Sequence, residues 1–314
     1  MRAATGASAF THDAAARAGA APLLHPTLDV TRKNRRESRD VPGKQPATPI
    51  MVWLDVTGSM SQIPSLLIQD LSKLMKLVID GKIVTDPQIC FCAIGDATSD
   101  RVPVQVGEFE ADDELAEAHL AHIFLEGAGG GQNKESYEMA LWFAGNQVDT
   151  DSFEKRQEKG FLFIIGDEAP YTSVRSDLAE RYLGVSLRQD VSLKEAVAQA
   201  SEKFHVFVIR PGGTSNYDDT SVQNAWASVL PAERVIKQER WQDIAPLIAG
   251  TISVMSGESI DDTAVAMKAS GFDSSSVDAA TRSLVPLANG SAAPVVSGLV
   301  PVASGSNPPP KKRL

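Results

Sequence analysis

The sequence predicts an α/β fold: a doubly wound, mostly parallel central sheet with helices on both faces and one antiparallel edge strand. Three observations carry this. Four runs of strand length, at 50–54 (IMVWL), 88–95 (QICFCAIG), 161–165 (FLFII) and 205–209 (HVFVI), are almost continuously hydrophobic, as strands buried on both faces are. The segments between them space their apolar residues helically, so strands alternate with helices. Val102 to Phe109 instead alternates, the pattern of an edge strand running against its neighbour.

Taken in order, residues 1–28 are rich in Ala and Gly without a helical period and are expected to be poorly ordered. From Asp29 to Lys44 the chain is basic, with Arg32, Lys33, Arg35, Arg36, Arg39 and Lys44 against Asp29, Glu37 and Asp40. This is either a solvated lead-in or an arm that docks on a partner or on the acidic body. Residues 1–47 are thus read as a flexible, partly basic arm, and 48–256 as the domain. After the first strand, Ser61 can cap a helix built on Ile63, Leu66, Leu67, Leu71, Leu74, Met75 and Val78. Asp112 to Leu125 reads as a helix with acids in its first turn, which suit its dipole. Gly127 to Asn133 is a glycine-rich loop, and Glu135 to Ala144 a helix. Leu193 to Phe204 follows as a helix, with Ser192 as cap and Glu195 as its third residue. A helix around Val222 to Leu230, a strand at Glu233 to Lys237 and a helix from Trp241 to Met255 complete the domain. Beyond it, 257–314 reads as short helical pieces (Ser259 to Ala269, Val277 to Leu287) and a disordered Ser/Gly/Pro-rich tail.

A chain of 314 residues with 43% hydrophobic content has ample material for a large core. The formal net charge of −10 argues against nucleic-acid binding through a general basic surface. Cys90 and Cys92, two apart on one strand, read as reduced core thiols. No run reaches the length of a membrane span, and the first residues lack a signal-peptide core, so the expectation is a cytoplasmic protein. The five histidines show no metal spacing and receive no role, and the four tryptophans read as core.

The turn Asp55-Val56-Thr57-Gly58-Ser59 offers one carboxylate and two hydroxyls on alternate residues, where a buried strand gives way to a helix. Such a turn lies at the carboxyl edge of the sheet, where open α/β folds bind ligands. Its oxygens suit a hard divalent cation. The pattern Asp-x-Thr-x-Ser resembles the metal-ion-dependent adhesion site of von Willebrand factor A (vWA) domains, with Asp55, Thr57 and Ser59 matching residue by residue. The resemblance covers about residues 48 to 256 and is to the intracellular bacterial or phage type, which implies a Rossmann-like vWA fold. It implies a second oxygen from the glycine-rich loop, where similar relatives carry Gly-Gly-Gly-Asp before a Glu-led helix. Here Gln132 stands at that position and Glu135 is retained; Gln132 brings a carbonyl oxygen without charge, and Asn133 or Ser136 are substitutes. Asp167, directly after the strand at 161–165, matches the family's last acidic position. The implied ligands are therefore Asp55, Thr57, Ser59, Gln132 and Asp167, and the cofactor Mg²⁺, Mn²⁺ or Ca²⁺. Plainer uses exist for each: Thr57 and Ser59 as helix caps, Asp167 and Asp96 as turn caps.

The resemblance implies a binding module and no enzyme. The cation keeps an open position, which an acidic residue of a protein partner completes; no small-molecule substrate and no membrane are expected. One alternative is a haloacid-dehalogenase-like phosphatase with Asp55 as nucleophile, although Thr57 stands where that chemistry needs a second acid. Another is a vWA scaffold without metal, given Gln132. The glycine-rich loop lacks the Gly-Lys-Ser/Thr ending of a phosphate-binding P-loop.

Overall fold

A computed structural model of the protein describes residues 10–60, 63, 66, 70, 73–78, 83–127 and 133–291. From the amino end come helix α1 (Thr11–Arg17) and strands β1 (Arg36–Ser38), β2 (Thr48–Asp55), β3 (Pro87–Ile94) and β4 (Val104–Val106). Helix α2 (Asp113–His122), β5 (Lys134–Glu135), α3 (Tyr137–Asn146), β6 (Val148–Thr150), α4 (Asp151–Arg156) and β7 (Gly160–Ile165) follow. Next are β8 (Ala169–Pro170), β9 (Ser173–Val174), α5 (Ser176–Leu183), β10 (Val191–Ser192), α6 (Leu193–Lys203) and β11 (Phe204–Pro211). The chain closes with α7 (Thr220–Ala227), β12 (Val235–Gln238), α8 (Ile244–Met255), α9 (Ile260–Ala269) and α10 (Ser274–Ser291).

Six strands form the central sheet in the order β12-β11-β7-β2-β3-β4, all parallel except β4, which runs antiparallel to β3. The mixed α/β architecture and the antiparallel edge strand are those expected from the alternation of buried runs. Strand β2 is buried from Pro49 to Asp55 because both faces are covered. Ile50, Val52 and Leu54 share one core with α8 and with Ile63, Leu74 and Val78. Met51 and Trp53, one step along the pleat, share the other with α3, α6 and α7. Burying each such side chain contributes about 1.5–3 kcal/mol. The pair Cys90 and Cys92 is free and buried in that second core, the two sulfurs 3.5 Å apart. Ser192 caps α6 as expected, its hydroxyl accepting from the Glu195 amide at 3.2 Å. Among the described residues, no helix is long and apolar enough to cross a membrane.

Three boundaries differ from the sequence reading. Helix α8 is buried almost throughout, so something must cover its outer face. The cover is α9 and α10, whose Met267, Val277, Ala280 and Leu284 join its core. Residues 257–291 therefore belong to the domain; 292–314 lie outside the described residues. The helix expected from Glu135 starts at Tyr137, and Glu135 sits in β5, paired with β8. The third difference is the amino-terminal arm. Phe10, Leu28 and Val30 are buried, and β1 pairs in parallel with β6. Arg36, 1% exposed, donates from Nε to the Gly107 carbonyl at 2.7 Å and from Nη2 to that of Val106 at 2.8 Å. Arg35 grips Asp149 bidentately at 2.8 Å, and Arg39 reaches Asp151 and Glu154. Of the alternatives for the basic stretch, docking on the chain's own acidic body is the one found, and the expected flexible arm is corrected over residues 10–47.

The same docking gathers histidines that no spacing had linked. His12 of α1 and His25 meet His119 and His122 of α2. The His25 and His122 rings stack at 3.8 Å, and His12 meets His25 edge-on at 4.8 Å. His25 Nδ1 lies 2.8 Å and His122 Nδ1 3.5 Å from the Thr27 hydroxyl. Burial, followed by the neighbouring imidazoles His122, His12 and His119, pushes the His25 imidazole down to about 4; burial also lowers His119 and His122. The folded state thus favours neutral rings. Their docking carries no proton penalty above pH ~6.5, and is weakened progressively as pH falls from there through about 4. Protection factors of residues 10–30, the observed exchange corrected for the intrinsic rate, should fall between pH 7.5 and 5, while those of β2 and β7 stay high. Equal protection at both values would rule out this linkage.

Candidate functional site

In the pairing of β2 with β7, Leu54 lies opposite Ile165. Asp55 therefore ends β2 beside Gly166, and Asp167 comes one residue later at the same rim. Here the chain crosses from β2 to β3 on one side while β7 flanks the other. This carboxyl-edge switch point is where open α/β sheets bind ligands.

Both carboxylates have no exposed surface. Asp55 Oδ1 accepts from the Thr57 amide at 2.9 Å and its hydroxyl at 2.6 Å, and Oδ2 accepts from the Tyr137 hydroxyl at 2.6 Å. The Thr57 hydroxyl hydrogen points at Asp55, which leaves the oxygen's lone pairs for another partner. Ser59 lies in the 3₁₀ turn Gly58–Met60, closed by the Met60 amide on the Thr57 carbonyl at 2.9 Å. Asp167 Oδ2 accepts from the Asn216 amide at 3.0 Å. Gln132 lies outside the described residues. The structure thus brings Asp55, Thr57 and Asp167 together, with Ser59 in the adjoining turn. The two substitutes offered for Gln132 fare differently. Asn133 has a left-handed backbone (φ 53°), whereas the Ser136 hydroxyl accepts from the Ala97 amide at 2.9 Å and fixes the neighbouring turn. Asp96 also works in that turn, accepting from the Thr98 amide at 2.8 Å and from the Tyr171 hydroxyl at 3.1 Å.

Apart from Glu135, whose retention was noted, several contributors were not read from the sequence. Tyr137 is fully buried, and its hydroxyl passes so close to Gly166 that any β-carbon there would overlap it. Glu135, 1% exposed, has an Oε2 with no hydrogen-bond partner among the described residues, and Glu138, three residues on, is buried too. Arg210 at the end of β11 is also 1% exposed and lies within the field of Asp167. It donates to Gln223 Oε1 at 2.8 Å, while its own Nε has no partner among the described residues. A charged residue directly after a buried strand, as in Ile209-Arg210, is the signal that could have drawn attention to it.

The electrostatics follow from this crowding. Burial pushes Asp55 up to about 6 against the opposing hydrogen bonds of Thr57 and Tyr137, with Asp167 adding repulsion. Burial raises Glu168 to about 7 and Glu138 to about 8. Glu135 rises to about 11 through burial, followed by Asp55, Glu168, Asp100 and Asp96. Carboxylates so placed demand protons or a cation. Among the described residues, no three His, Cys, Asp or Glu side chains converge as metal ligands. A cation at this rim would accordingly rest on Asp55 and Asp167 together with neutral oxygens. The donor chemistry fits a hard divalent ion.

Because the raised Asp55 favours its protonated form in the fold, its contribution is fully favourable below pH ~4 and is lost as pH rises through about 6. Asp55→Asn should therefore stabilise the metal-free protein at pH 8, by on the order of 1 kcal/mol, and by less at pH 5. Urea midpoints with a chelator present test this. A variant less stable at pH 8 than at pH 5, relative to the parent, would show that the lost hydrogen bonds outweigh the relieved charge.

No family model and no curated protein matches the chain. Among solved structures it is similar to the pilus adhesin SpaC of Lactobacillus rhamnosus GG, with TM-score 0.44 and 8% identity over 68% of this chain and 31% of that one. It is also similar to proximal thread matrix protein 1 of the mussel byssus, with TM-score 0.42 and 8% identity over 68% of this chain and 49% of that one. The chain thus spans about a third of the adhesin and half of the matrix protein. Overlaps this loose assign neither family nor activity.

Proposed function

We propose that the chain is a vWA-type binding module that holds Mg²⁺ or Mn²⁺ at the carboxyl edge of its sheet and captures a protein through an acidic residue completing the ion's coordination. The observation that supports this best is the side-by-side burial of Asp55 and Asp167 at the switch point, with Thr57 beside them. Asp55 and Thr57 would hold the ion with Asp167, and Ser59 and Gln132 would complete its shell. Two carboxylates leave a divalent ion incompletely neutralised, so an incoming Glu or Asp gains a charge-assisted contact. The phosphatase alternative is disfavoured by the same geometry. Both Asp55 oxygens accept hydrogen bonds, and Thr57 supplies a hydroxyl where a general acid is required.

Cation binding to the folded state alone should stabilise it by about 2.7 kcal/mol at a hundred times the dissociation constant. Melting with and without MnCl₂ should show a rise that disappears in Asp55→Ala and in Asp167→Ala. Capture of a partner from the native host should be lost in the same variants and in chelator. An unshifted melting temperature in the parent protein would leave a metal-free scaffold and overturn the reading.

A further inference from the structure

The opposite edge of the sheet carries the reverse charge. Three neighbouring parallel strands each bring a basic residue to their amino ends: Lys159 just before β7, His205 as the second residue of β11, and Arg234 just before β12. They line a groove of about 170 Å³ whose other walls include Phe204, Leu230 and Pro231. In a chain of net charge −10, such a gathering should attract carboxylates of its own, yet it has little compensation. Arg234 lies over the Phe207 ring at 4.4 Å and makes no ion pair among the described residues; Glu233 acts on it only through its field. Lys159 donates to the Ser201 carbonyl at 2.7 Å, an uncharged acceptor. His205 tilts against Phe161 at 5.6 Å, with no hydrogen-bond partner among the described residues.

We propose that this amino-edge groove binds a tetrahedral dianion of the phosphate class, held by Arg234 and Lys159 and completed by a proton taken up on His205. The guanidinium fork matches two oxygens of such an anion, and the ammonium supplies a second charge. In the free protein, burial, then Arg234 and Lys159, push His205 down to about 4, so the ring is neutral near pH 6. An anion seated between the three groups opposes both the burial penalty and that repulsion and so favours imidazolium, a third donor drawn from solvent. A monovalent carboxylate leaves the cluster under-neutralised. The apolar wall of Phe204, Leu230 and Pro231 suits the organic part of a phosphomonoester.

The test is calorimetric titration of the full chain at pH 6, in two buffers of different ionisation enthalpy, against KCl of equal ionic strength. Sulfate, a dianion that does not titrate here, should bind with net proton uptake. His205→Gln should abolish the uptake, while Arg234→Gln and the exposed Lys159→Gln should each weaken binding by about tenfold or more, on the scale of one charge-assisted contact. With each affinity referred to the dianion fraction of its ligand at pH 6, phenyl phosphate binding more tightly than inorganic phosphate would assign the ester as the source; equal binding would assign the free anion. Heats no larger than those of KCl, acetate binding as tightly as sulfate, or unchanged binding in Lys159→Gln would each overturn the proposal. None of these readouts depends on the cation at the other edge.

Discussion

The structure depends on a charge kept where water cannot reach it. Asp55 stands at the end of a strand buried on both faces, and among the described residues only hydrogen bonds compensate it directly. Thr57 holds one oxygen and Tyr137 the other. The second contact sets constraints well away from Asp55. Tyr137 must be buried as the first residue of α3, and Gly166 must lack a side chain for its hydroxyl to pass. The Trp226 ring tilts against that of Tyr137 with centroids 5.6 Å apart, and its Nε1 donates to the Glu168 carbonyl at 3.1 Å, so α7 is tied to the loop after β7 as well. One buried carboxylate thereby couples the ends of β2 and β7 with α3 and α7.

Such an arrangement is a poor choice for stability alone. Apolar residues of similar volume generally serve a core as well as buried ions do, or better. The rim instead collects Asp55, Asp167, Glu135, Glu138 and Asp96 with almost no exposed surface, against Arg210 as a buried cation nearby. Strain of this kind is expected where a fold keeps a site ready for an ion or a proton. The cost is carried by a sheet whose two cores are otherwise continuous, with β2 contributing alternate residues to each.

What the sequence made legible follows from what is local. Continuous apolar runs located β2, β3, β7 and β11 because a strand buried on both faces admits little else. Ser192 was readable as a cap because its partner amide is three residues away. The pairing of Asp55 with Asp167 was readable because both directly follow such strands. Contacts set only by tertiary structure were not. The stretch 169–192 forms β8, β9, α5 and β10, with pairings of two residues that leave no periodic trace. The arm of residues 10–47 lacks a hydrophobic period because its anchors are scattered: Phe10, Leu28, and an arginine whose five donors meet backbone carbonyls. A buried Arg36 looks, in sequence, like any residue of a solvated basic run. Tyr137 and Arg210 escaped notice for the same reason, since only the fold turns them toward the rim.

The same argument explains why the two edges of the sheet differ in sign. In a parallel sheet the carboxyl ends of all strands lie together, and so do the amino ends, so residues flanking successive strands accumulate by edge. Asp55 ends β2, and Asp96 and Asp167 follow β3 and β7, while Lys159, His205 and Arg234 sit at the starts of β7, β11 and β12. No residue in either group is close in sequence to another, and none would suggest a site by itself. Parallel topology converts a repeated local choice, acid after the strand and base before it, into two concentrated fields of opposite sign. The acidic one is buried, and the basic one lines a partly buried groove.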